Sequence, residues 1–412
     1  MPRPLPPLLL ITLIALLLAS PVTRAQQDPL SRWPDWVRDS MQTESRRMKF
    51  RAVATPDDAL RSKLPGKPAD PEAFDGGWYF ASDIKAQSPL ECYIFTKSMD
   101  LASLANLMAE TNIETITDTH GPLATRQIFH TGSGEIAGMP YLALEWLYAV
   151  KSETQNMVAF TKVRAATKGE VSIACAHNYL GYRDTFARAF AEFVSNAEYA
   201  DDTPAPYFEE IAQFDVNSLG TGVAYNSYTI DEDGDIKIYA VESSLIATDP
   251  ATLITSDSYS ITYSMPNGQL INAIDISLEN GEITSDLRLE LNDDDLWVSS
   301  GTLEGKTFEA VLDGAQSPTS ELQQIEMARE LFSGDDTTKT AHLWIPGIDP
   351  SRLLESTMTR DETVEQQAVM TMGPITATGR FDDEGLLEES DMTIGPVTIN
   401  LRRIWTNGSF SR

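Results

Sequence analysis

Basic residues are scarce in this sequence. Its 412 residues include 31 lysines and arginines against 61 aspartates and glutamates, which gives a formal charge of −30 at pH 7. A field of this sign repels phosphate backbones and anionic lipid surfaces, so binding to nucleic acid or to anionic lipid head groups is excluded as the main role. We interpret the excess of acid as a solubility feature rather than as a site for a specific cationic partner.

Long apolar runs are also missing, apart from one near the amino terminus. Residues 8–19 form a twelve-residue, predominantly apolar stretch after Arg3, too short to span a bilayer comfortably. Residues 22–25, Val-Thr-Arg-Ala, then fit a cleavage site near Ala25, so residues 1–25 are predicted to be an export signal. An uncleaved membrane anchor is the alternative. We expect a periplasmic or secreted bacterial protein with no integral membrane segment after signal removal.

Cysteine is the third scarcity, because Cys92 and Cys175 are the only two. Both lie in apolar, strand-like segments, and a pair of cysteines in an exported chain predicts one disulfide. A bridge that closes so long a loop would stabilise the fold by about 4 kcal/mol by restricting the unfolded chain. Two buried free thiols are the alternative.

Catalytic and cofactor motifs are absent. The four histidines show no metal-ligand spacing, and no HExxH, GxSxG or CxxC sequence occurs. We therefore predict no cofactor, no metal site and no enzymatic activity. The alternative is a periplasmic hydrolase whose nucleophile is Cys175, two residues from His177, or Ser133, which lies between two glycines.

Two near-matches to ligand-binding loops are interpreted as hairpin turns. Residues 301–307 have the Gly-Lys-Thr ending of a phosphate loop, but the glycines are one residue too close and a strand-like segment follows. Asp231, Asp233 and Asp235 have the alternate spacing of a calcium loop, but the sixth position holds Ile236 in place of glycine.

Composition predicts four segments, of which the signal is the first. Residues 26–73 are interrupted by prolines and indicate a leader or linker. Residues 74–200 mix strand-like and helical segments and end in a helix with Phe186, Phe190 and Phe193 on one face, which predicts a compact α+β domain. Two aspartates and two prolines at 201–206 mark the boundary to the last domain, residues 201–412.

The last domain has the pattern of antiparallel strands. Asp233-Gly234 between two alternating segments is a hairpin signal, and further turn signals follow it. Residues 206–214 are predicted to form a short helix, and another helix is predicted near 318–333. One apolar face on the strands predicts a curved antiparallel sheet with one covered side and a helical insertion.

Tyrosines are frequent on the apolar face of these predicted strands: Tyr225, Tyr239, Tyr259 and Tyr263. They could line an apolar groove under the sheet, or they could pack against the covering helices.

Two parts of the chain resemble known families. Residues 157–199, a hairpin arm, a strand and a helix that begins YRDTFARAF, resemble the end of PsbP-like domains. Residues 222–245, GVAYNSYTI followed by Asp-Gly and a second strand, resemble the opening hairpin of LolA-like domains in exported bacterial proteins, and residues 376–401 suit that architecture. The resemblance implies an α+β fold, a PsbP-like sandwich followed by a curved antiparallel β half-barrel. It transfers no binding residue.

These features predict a non-enzymatic, two-domain envelope protein. Its C-terminal sheet is expected to bind an apolar small molecule, a lipid or a protein segment, with the helix near 318–333 as plug or lid. A structural envelope scaffold, in which the basic residues at 46–49 meet an acidic surface, is a further alternative.

Overall fold

The structure is a computed structural model, and it describes residues 30, 33–45, 48–86, 88–151, 156–199, 205–217, 220–312, 316–373, 375–394 and 397–410. The predicted signal, residues 1–25, and two members of the predicted basic segment, Arg46 and Arg47, lie outside the described residues. The described chain divides into two units: residues 30–199 with 245–255, and residues 205–244 with 256–410. No helix in the described ranges is long and apolar enough to cross a membrane.

The first unit is built on an eight-stranded antiparallel sheet. Its helices are α1 (Asp35–Met41), α2 (Leu101–His120) and α3 (Arg183–Ser195). Its strands are β1 (Phe50–Ala54), β2 (Arg61–Pro65), β3 (Lys67–Pro68), β4 (Glu72–Phe74), β5 (Gly77–Asp83), β6 (Leu90–Phe95), β7 (Leu123–Ile136), β8 (Met139–Lys151), β9 (Asn156–Lys168) and β10 (Val171–Asn178). The sheet order is β3-β5-β6-β10-β9-β8-β7, with β4 beside β5, and β1 and β2 form a separate hairpin.

Helices α2 and α3 cover opposite faces of this sheet. On one face, Asn178 of β10 donates a hydrogen bond to Asn112 of α2. On the other face, the rings of Tyr141 in β8 and Phe190 in α3 lie 6.0 Å apart. Helix α3 buries its aromatic stripe, which includes Phe193, so the helical spacing in the sequence is realised as an amphipathic helix.

The predicted disulfide is present in the first unit. Cys92 of β6 and Cys175 of β10 lie directly opposite each other in the strand register and are bonded. Both side chains are fully buried in a cluster that includes Phe80 and Phe193. The bridge therefore joins two neighbouring strands that are 83 residues apart in the sequence.

The second unit is built on a 14-stranded antiparallel sheet with one helix, α4 (Glu321–Ser333), and only residues 245–255 of this sheet group with the first unit. Its strands are β11 (Phe208–Val216), β12 (Gly220–Ile230), β13 (Ile236–Asp249), β14 (Thr252–Ser264), β15 (Leu270–Glu279), β16 (Glu282–Leu291), β17 (Trp297–Leu303), β18 (Lys306–Val311), β19 (Thr338–Trp344), β20 (Leu353–Arg360), β21 (Gln367–Met372), β22 (Ile375–Phe381), β23 (Leu387–Ile394) and β24 (Val397–Gly408). The strands form two meanders: the first runs from β11 to β18 and the second from β19 to β24. Pairing of β11 with β24 joins them into one sheet with the order β18 to β11, then β24 to β19.

The sheet curves around α4. The helix meets the first meander where Tyr228 of β12 donates a hydrogen bond to Glu321 at 3.0 Å. It meets the second meander where the rings of Phe332 and Phe381 lie 5.4 Å apart. The predicted α+β class, with a curved antiparallel sheet and a helix inserted near 318–333, is confirmed.

Strand β11 occupies the segment predicted as a helix at 206–214, so that prediction is wrong. Its apolar residues Phe208, Ile211 and Phe214 recur at every third position, which imitates a turn of helix. In the sheet this strand lies between β12 and β24 and buries residues on both faces. A strand buried on both sides loses the two-residue alternation by which strands are recognised.

The first meander buries a polar face toward α4. On β14 the side chains of Ser258, Ser260 and Thr262 are all buried, while the intervening Tyr259 and Ile261 are half-exposed. On β15 the polar Asp275 and Ser277 are buried in the same way, while the intervening Ile274 and Ile276 are half-exposed. The strand face with fewer apolar residues is thus the one that turns inward on these two strands.

Candidate functional site

Helix α4 is anchored at both ends. At its start the Ser320 hydroxyl accepts from the Gln323 N–H at 3.1 Å and donates to the carbonyl of Gly268, in the turn between β14 and β15. The Gln323 side chain accepts from the Ser320 N–H, which completes a capping box. At its end Arg360 donates to the carbonyl of Leu331 at 3.0 Å. The helix is therefore an integral part of this unit.

An apolar cavity of about 60 Å³ lies between α4 and strands β19 to β24. It is lined by five methionines, Met327 from the helix and Met358, Met370, Met372 and Met392 from the strands. We call it the methionine cavity. Cross-strand pairing sets Met358, Met370, Ala377 and Met392 in one row across four strands. Methionine side chains are flexible and polarizable, so such a lining adapts to apolar groups of different shape.

The cation that lines the methionine cavity is already ion-paired. Lys339 Nζ lies 3.0 Å from Glu330 Oε2 and 3.0 Å from Asp336 Oδ2. Hydrogen bonds to these two carboxylates raise the pKa of Lys339. An anionic ligand would have to compete with both carboxylates for this ammonium group.

A second, acidic cavity of about 80 Å³ lies at the start of α4. Its polar lining includes Ser260, Thr262 and Asp275 from the sheet and Glu321 from the helix. Asp275 is 3% exposed and Glu321 is 4% exposed. Asp275 lies directly opposite Ser260 in the register of β14 and β15, so the hydroxyl and the carboxylate share one face.

The two cavities are neighbours. Gln324 of α4 and Leu343 of β19 line both of them. The face of the sheet beneath α4 therefore presents an apolar chamber and an acidic chamber side by side.

A third buried carboxylate belongs to the same region. Glu210 of β11 accepts a hydrogen bond from Asn226 at 2.9 Å, and Arg403 Nη1 lies 3.8 Å from its Oε2. Burial raises the pKa of Glu210, while Asn226 and Arg403 oppose this effect. The Glu321 charge adds to the rise, because like charges disfavour each other's ionised form.

The four tyrosines predicted as a groove lie outside both cavities. Tyr225 donates a hydrogen bond to Glu209 at 2.6 Å, and burial together with this carboxylate raises the pKa of the tyrosine. Tyr259 and Tyr263 alternate along β14 with the cavity-lining Ser260 and Thr262, so they point to the opposite face. Tyr239 alternates in the same way with buried neighbours on β13. A tyrosine-lined groove would lie on the face away from α4 and stays a prediction.

The hydrolase hypothesis fails for cysteine. Cys175 is bonded to Cys92, so this position offers no thiolate, and the hypothesis that Cys175 is a nucleophile is wrong. Ser133 is buried on β7 and lies opposite Leu142, whereas His130 on the same strand lies opposite Glu145. By the strand alternation, Ser133 and His130 point to opposite faces and form no nucleophile–base pair.

Sequence reasoning missed a row of ionisable side chains in the first unit. His130, Glu145, Lys162 and His177 are successive cross-strand partners on β7, β8, β9 and β10. Arg183 at the start of α3 pairs with Glu145, with Nη2 and Oε2 2.5 Å apart. The partners are far apart in the sequence, and only the strand register brings them together. No local motif could have revealed the row.

The buried members of this row have strongly shifted pKa values. Burial lowers the pKa of Lys162 to about 7, and its amine donates hydrogen bonds to the carbonyls of Tyr179 and Gly181. Burial, with a contribution from the Lys162 charge, lowers the pKa of His177 to about 3. Neither residue lines the methionine or acidic cavity. The two hydrogen bonds of its amine connect Lys162 of β9 to the loop that leads into α3.

The two near-motifs form hairpin turns. Residues 301–307 span the turn between β17 and β18. At the turn between β12 and β13, Asp231 Oδ1 accepts the backbone N–H groups of Asp233 and Asp235. Among the residues that the structure describes, no group of three or more His, Cys, Asp and Glu side chains could hold a metal ion.

No protein-family model matches the sequence, and no curated protein matches it. The fold is similar to the crystal structure of a β-barrel-like protein of the domain of unknown function DUF1849 from Brucella abortus, at 10% identity and a TM-score of 0.40, over 49% of this chain and 98% of that chain. It is also similar to the solution structure of cyanobacterial PsbP (CyanoP) from Synechocystis sp. PCC 6803, at 15% identity and a TM-score of 0.26, over 37% of this chain and 92% of that chain. The expected resemblance to a PsbP-like fold and to a curved β-barrel-like fold is confirmed over parts of the chain and concerns the fold alone, whereas the LolA-like assignment of the C-terminal half stays a prediction.

Proposed function

We propose that this protein is a non-enzymatic binding protein of the bacterial cell envelope, and that its C-terminal sheet holds an apolar ligand beneath α4. The observation that carries the proposal is the methionine cavity. Its row of Met358, Met370, Ala377 and Met392 presents flexible apolar side chains from four neighbouring strands. Burying apolar ligand surface against them gains roughly 25 cal/mol per Å².

The cavity volume defines what enters without rearrangement. A volume of about 60 Å³ is enough for roughly four water molecules. A longer alkyl chain therefore requires methionine side chains to change rotamer. Met370 and Met392 are only half-buried, so they have space to move. We therefore expect the cavity to hold a single alkyl chain in tight contact with its walls.

The envelope location rests on two features of the chain. The signal-like residues 1–25 precede a domain whose two cysteines form a disulfide, a bond that persists in oxidising compartments. Intact-mass analysis of the protein from bacterial cells tests the location. A mature form that begins near Gln26 in the periplasmic or secreted fraction is expected, and retention of Met1 in the cytosolic fraction would contradict it.

Binding is tested with N-phenyl-1-naphthylamine, a neutral apolar fluorophore. Ala377→Leu adds bulk in the centre of the methionine row, where Ala377 is 4% exposed. We expect Ala377→Leu to weaken binding about tenfold, because extra bulk in a tightly packed apolar site typically costs about 1–3 kcal/mol. Thr376→Leu is the matched control, because Thr376 is the exposed neighbour on the opposite face of β22.

Circular dichroism and thermal unfolding check that both variants fold. Equal fluorophore affinity in the wild type and both variants would place binding outside the methionine cavity. Absence of fluorophore binding by the wild-type protein would refute the proposed function.

A further inference from the structure

The acidic cavity is lined by hydroxyl-bearing side chains as well as by carboxylates. Ser260 and Thr262 come from the sheet, and Thr319 and Ser320 come from the segment that leads into α4. A hydroxyl group can both donate and accept hydrogen bonds, so it suits a ligand that is itself rich in hydroxyl groups. The lining therefore matches a polar ligand that both donates and accepts.

Ser260 gives an independent indication of a ligand. It lines the acidic cavity, it is 8% exposed, and its Oγ is buried without a hydrogen-bond partner in the part of the chain that the structure describes. Buried hydroxyl groups in proteins are almost always hydrogen-bonded, so a partner from outside the chain is expected here. A hydroxyl group of a ligand can supply that partner from within the cavity.

A second buried hydroxyl group extends this polar surface. Ser299 of β17 is fully buried, and its Oγ also has no hydrogen-bond partner within the described residues. The strand register places Ser299 in one cross-strand row with three residues that line the acidic cavity, Thr262, Ala273 and Leu289. Since directly opposite residues point to the same face, Ser299 lies on the face that borders the cavity.

The carboxylates of the acidic cavity can accept hydrogen bonds from a neutral ligand. Tyr228 already donates to Glu321 Oε1 at 3.0 Å, so the protein itself stabilises this carboxylate and no positive ligand charge is required. Each carboxylate oxygen can accept more than one hydrogen bond, which leaves capacity for ligand hydroxyl groups. An anionic head group such as phosphate would be repelled by Asp275 and Glu321.

An aromatic side chain and the volume of the acidic cavity fit one sugar ring. Trp344 of β19 lines the cavity, and its Nε1 donates to the carbonyl of Pro350 at 3.3 Å, which holds the indole in place. An aromatic ring offers a large apolar surface, against which the C–H groups of a sugar ring can pack. The volume of about 80 Å³ is enough for roughly five water molecules, which is comparable with the space that a single sugar ring occupies.

On the basis of the proposed function, we propose that the ligand is an amphiphile with a neutral sugar head group. The acidic and methionine cavities meet at Gln324 and Leu343, so a single molecule can occupy both. The sugar lies in the acidic cavity, where its hydroxyl groups bond to Ser260 and to the carboxylates. The alkyl chain lies against the methionine row.

Three probes with one chain length separate the head-group contribution from the chain contribution. Octyl β-D-glucopyranoside, 1-octanol and octylamine are titrated into the full-length mature protein by isothermal calorimetry at pH 7, below their aggregation concentrations. We expect the glucoside to bind at least about tenfold more tightly than octanol, as about two or three additional hydrogen bonds of ordinary strength would give. Octylamine should bind less tightly than the glucoside.

Ser260→Ala tests the hydroxyl group that points to a ligand. Glucoside affinity is expected to fall about fivefold, the contribution of one hydrogen bond. Affinity for N-phenyl-1-naphthylamine, which needs only the methionine cavity, should stay unchanged. The variant is expected to fold, because removing a buried hydroxyl group without a partner removes a desolvation cost. Ser300→Ala is the matched control, because Ser300 is half-exposed on the other face of β17, and it should leave the glucoside affinity intact.

The outcomes separate this inference from the proposed function. If octanol binds and the glucoside binds no better, or if octylamine binds more tightly than the glucoside, the sugar inference is overturned and the apolar site stands. Wild-type glucoside affinity in Ser260→Ala, or an equal loss in Ser300→Ala, would overturn the inference in the same way. If neither octanol nor the neutral fluorophore binds the wild-type protein, the proposed function fails and the inference fails with it.

Discussion

The buried amine of Lys162 donates a hydrogen bond to the carbonyl of Gly181 across 2.9 Å. This bond holds the loop before α3 against the middle of the first sheet. The loop is also packed closely from outside: a Cβ atom at Gly181 would lie 2.8 Å from the carbonyl oxygen of Thr43. Lys162 thus stabilises a junction between β9, the loop and the segment after α1, and its protonation affects the stability of that junction.

Lys162 should make the first unit more stable as the pH rises above neutral. Burial lowers the pKa of Lys162 from 10.5 to about 7, so between these values the unfolded chain binds more protons than the folded chain. The free energy of unfolding then rises by up to about 1.4 kcal/mol per pH unit from this group. In urea unfolding from pH 7 to 9.5, Lys162→Met should lose this increment and the exposed-site control Lys151→Met should keep it. The expectation would be contradicted if the free energy of unfolding rose equally with pH in the wild type and in Lys162→Met.

His177 should make the first unit sensitive to acid. Its pKa is lowered from 6.5 to about 3, mainly by burial, and its ring lies 6.3 Å from that of Phe186. The unfolded chain takes up a proton at this position as the pH falls below about 6.5, while the folded chain resists protonation down to about 3. Stability contributed by the neutral ring is present above pH 6.5 and is lost through this window.

His177→Phe should therefore reduce the loss of unfolding free energy between pH 6.5 and pH 4. The control is His120→Phe, at the exposed carboxyl end of α2. Equal acid sensitivity in all three proteins would show that His177 is not the responsible group.

Removal of the disulfide should destabilise the first unit. The bridge closes a loop between residues 83 positions apart, and its loss is expected to cost about 4 kcal/mol. The double variant Cys92→Ala with Cys175→Ala is compared with wild type in guanidinium unfolding, and the reduced wild-type protein serves as the control for the substitutions themselves. A loss below about 1 kcal/mol in both would argue that the unfolded chain is already compact.

Gly385 should be intolerant of a side chain. It has φ +80°, and a Cβ there would lie 2.7 Å from the carbonyl oxygen of Ile325 in α4. Gly385→Ala is expected to cost about 3 kcal/mol, because backbone strain adds to a clash with a helix that is anchored at both ends. Gly234→Ala is the control, since Gly234 has φ +87° but open space around it, and it should cost only about 1 kcal/mol. Equal losses of unfolding free energy in the two variants would show that the contact with α4 is unimportant.

Local patterns predicted several elements correctly. The aromatic stripe of α3 and the helix near 318–333 were recognisable because a 3.6-residue period belongs to a single segment. The disulfide was predictable because the sequence contains only two cysteines. The segment 206–214 failed for the same reason that α3 succeeded, because Phe208, Ile211 and Phe214 have helical spacing although the strand is buried on both faces.

Local sequence patterns could not predict the candidate site. The expected groove used the tyrosines of the apolar face, such as Tyr259 and Tyr263, whereas the cavity is lined by the intervening Ser260 and Thr262. Alternation along a strand separates two faces but does not say which of them turns toward α4. The methionines were also inconspicuous, because they come from a helix and several strands that are distant in the sequence.

The sequence alone determined the acidic charge, the signal-like start, the cysteine pair and the antiparallel class, because each depends on composition or on a period of a few residues. Tertiary structure decided the rest. It placed Asp275 and Glu321 around one cavity, aligned the methionines beside it, and buried Lys162 beside Glu145 and His177. Each of these groupings depends on strand register and on where a helix packs, and these are set by the fold as a whole rather than by any single segment.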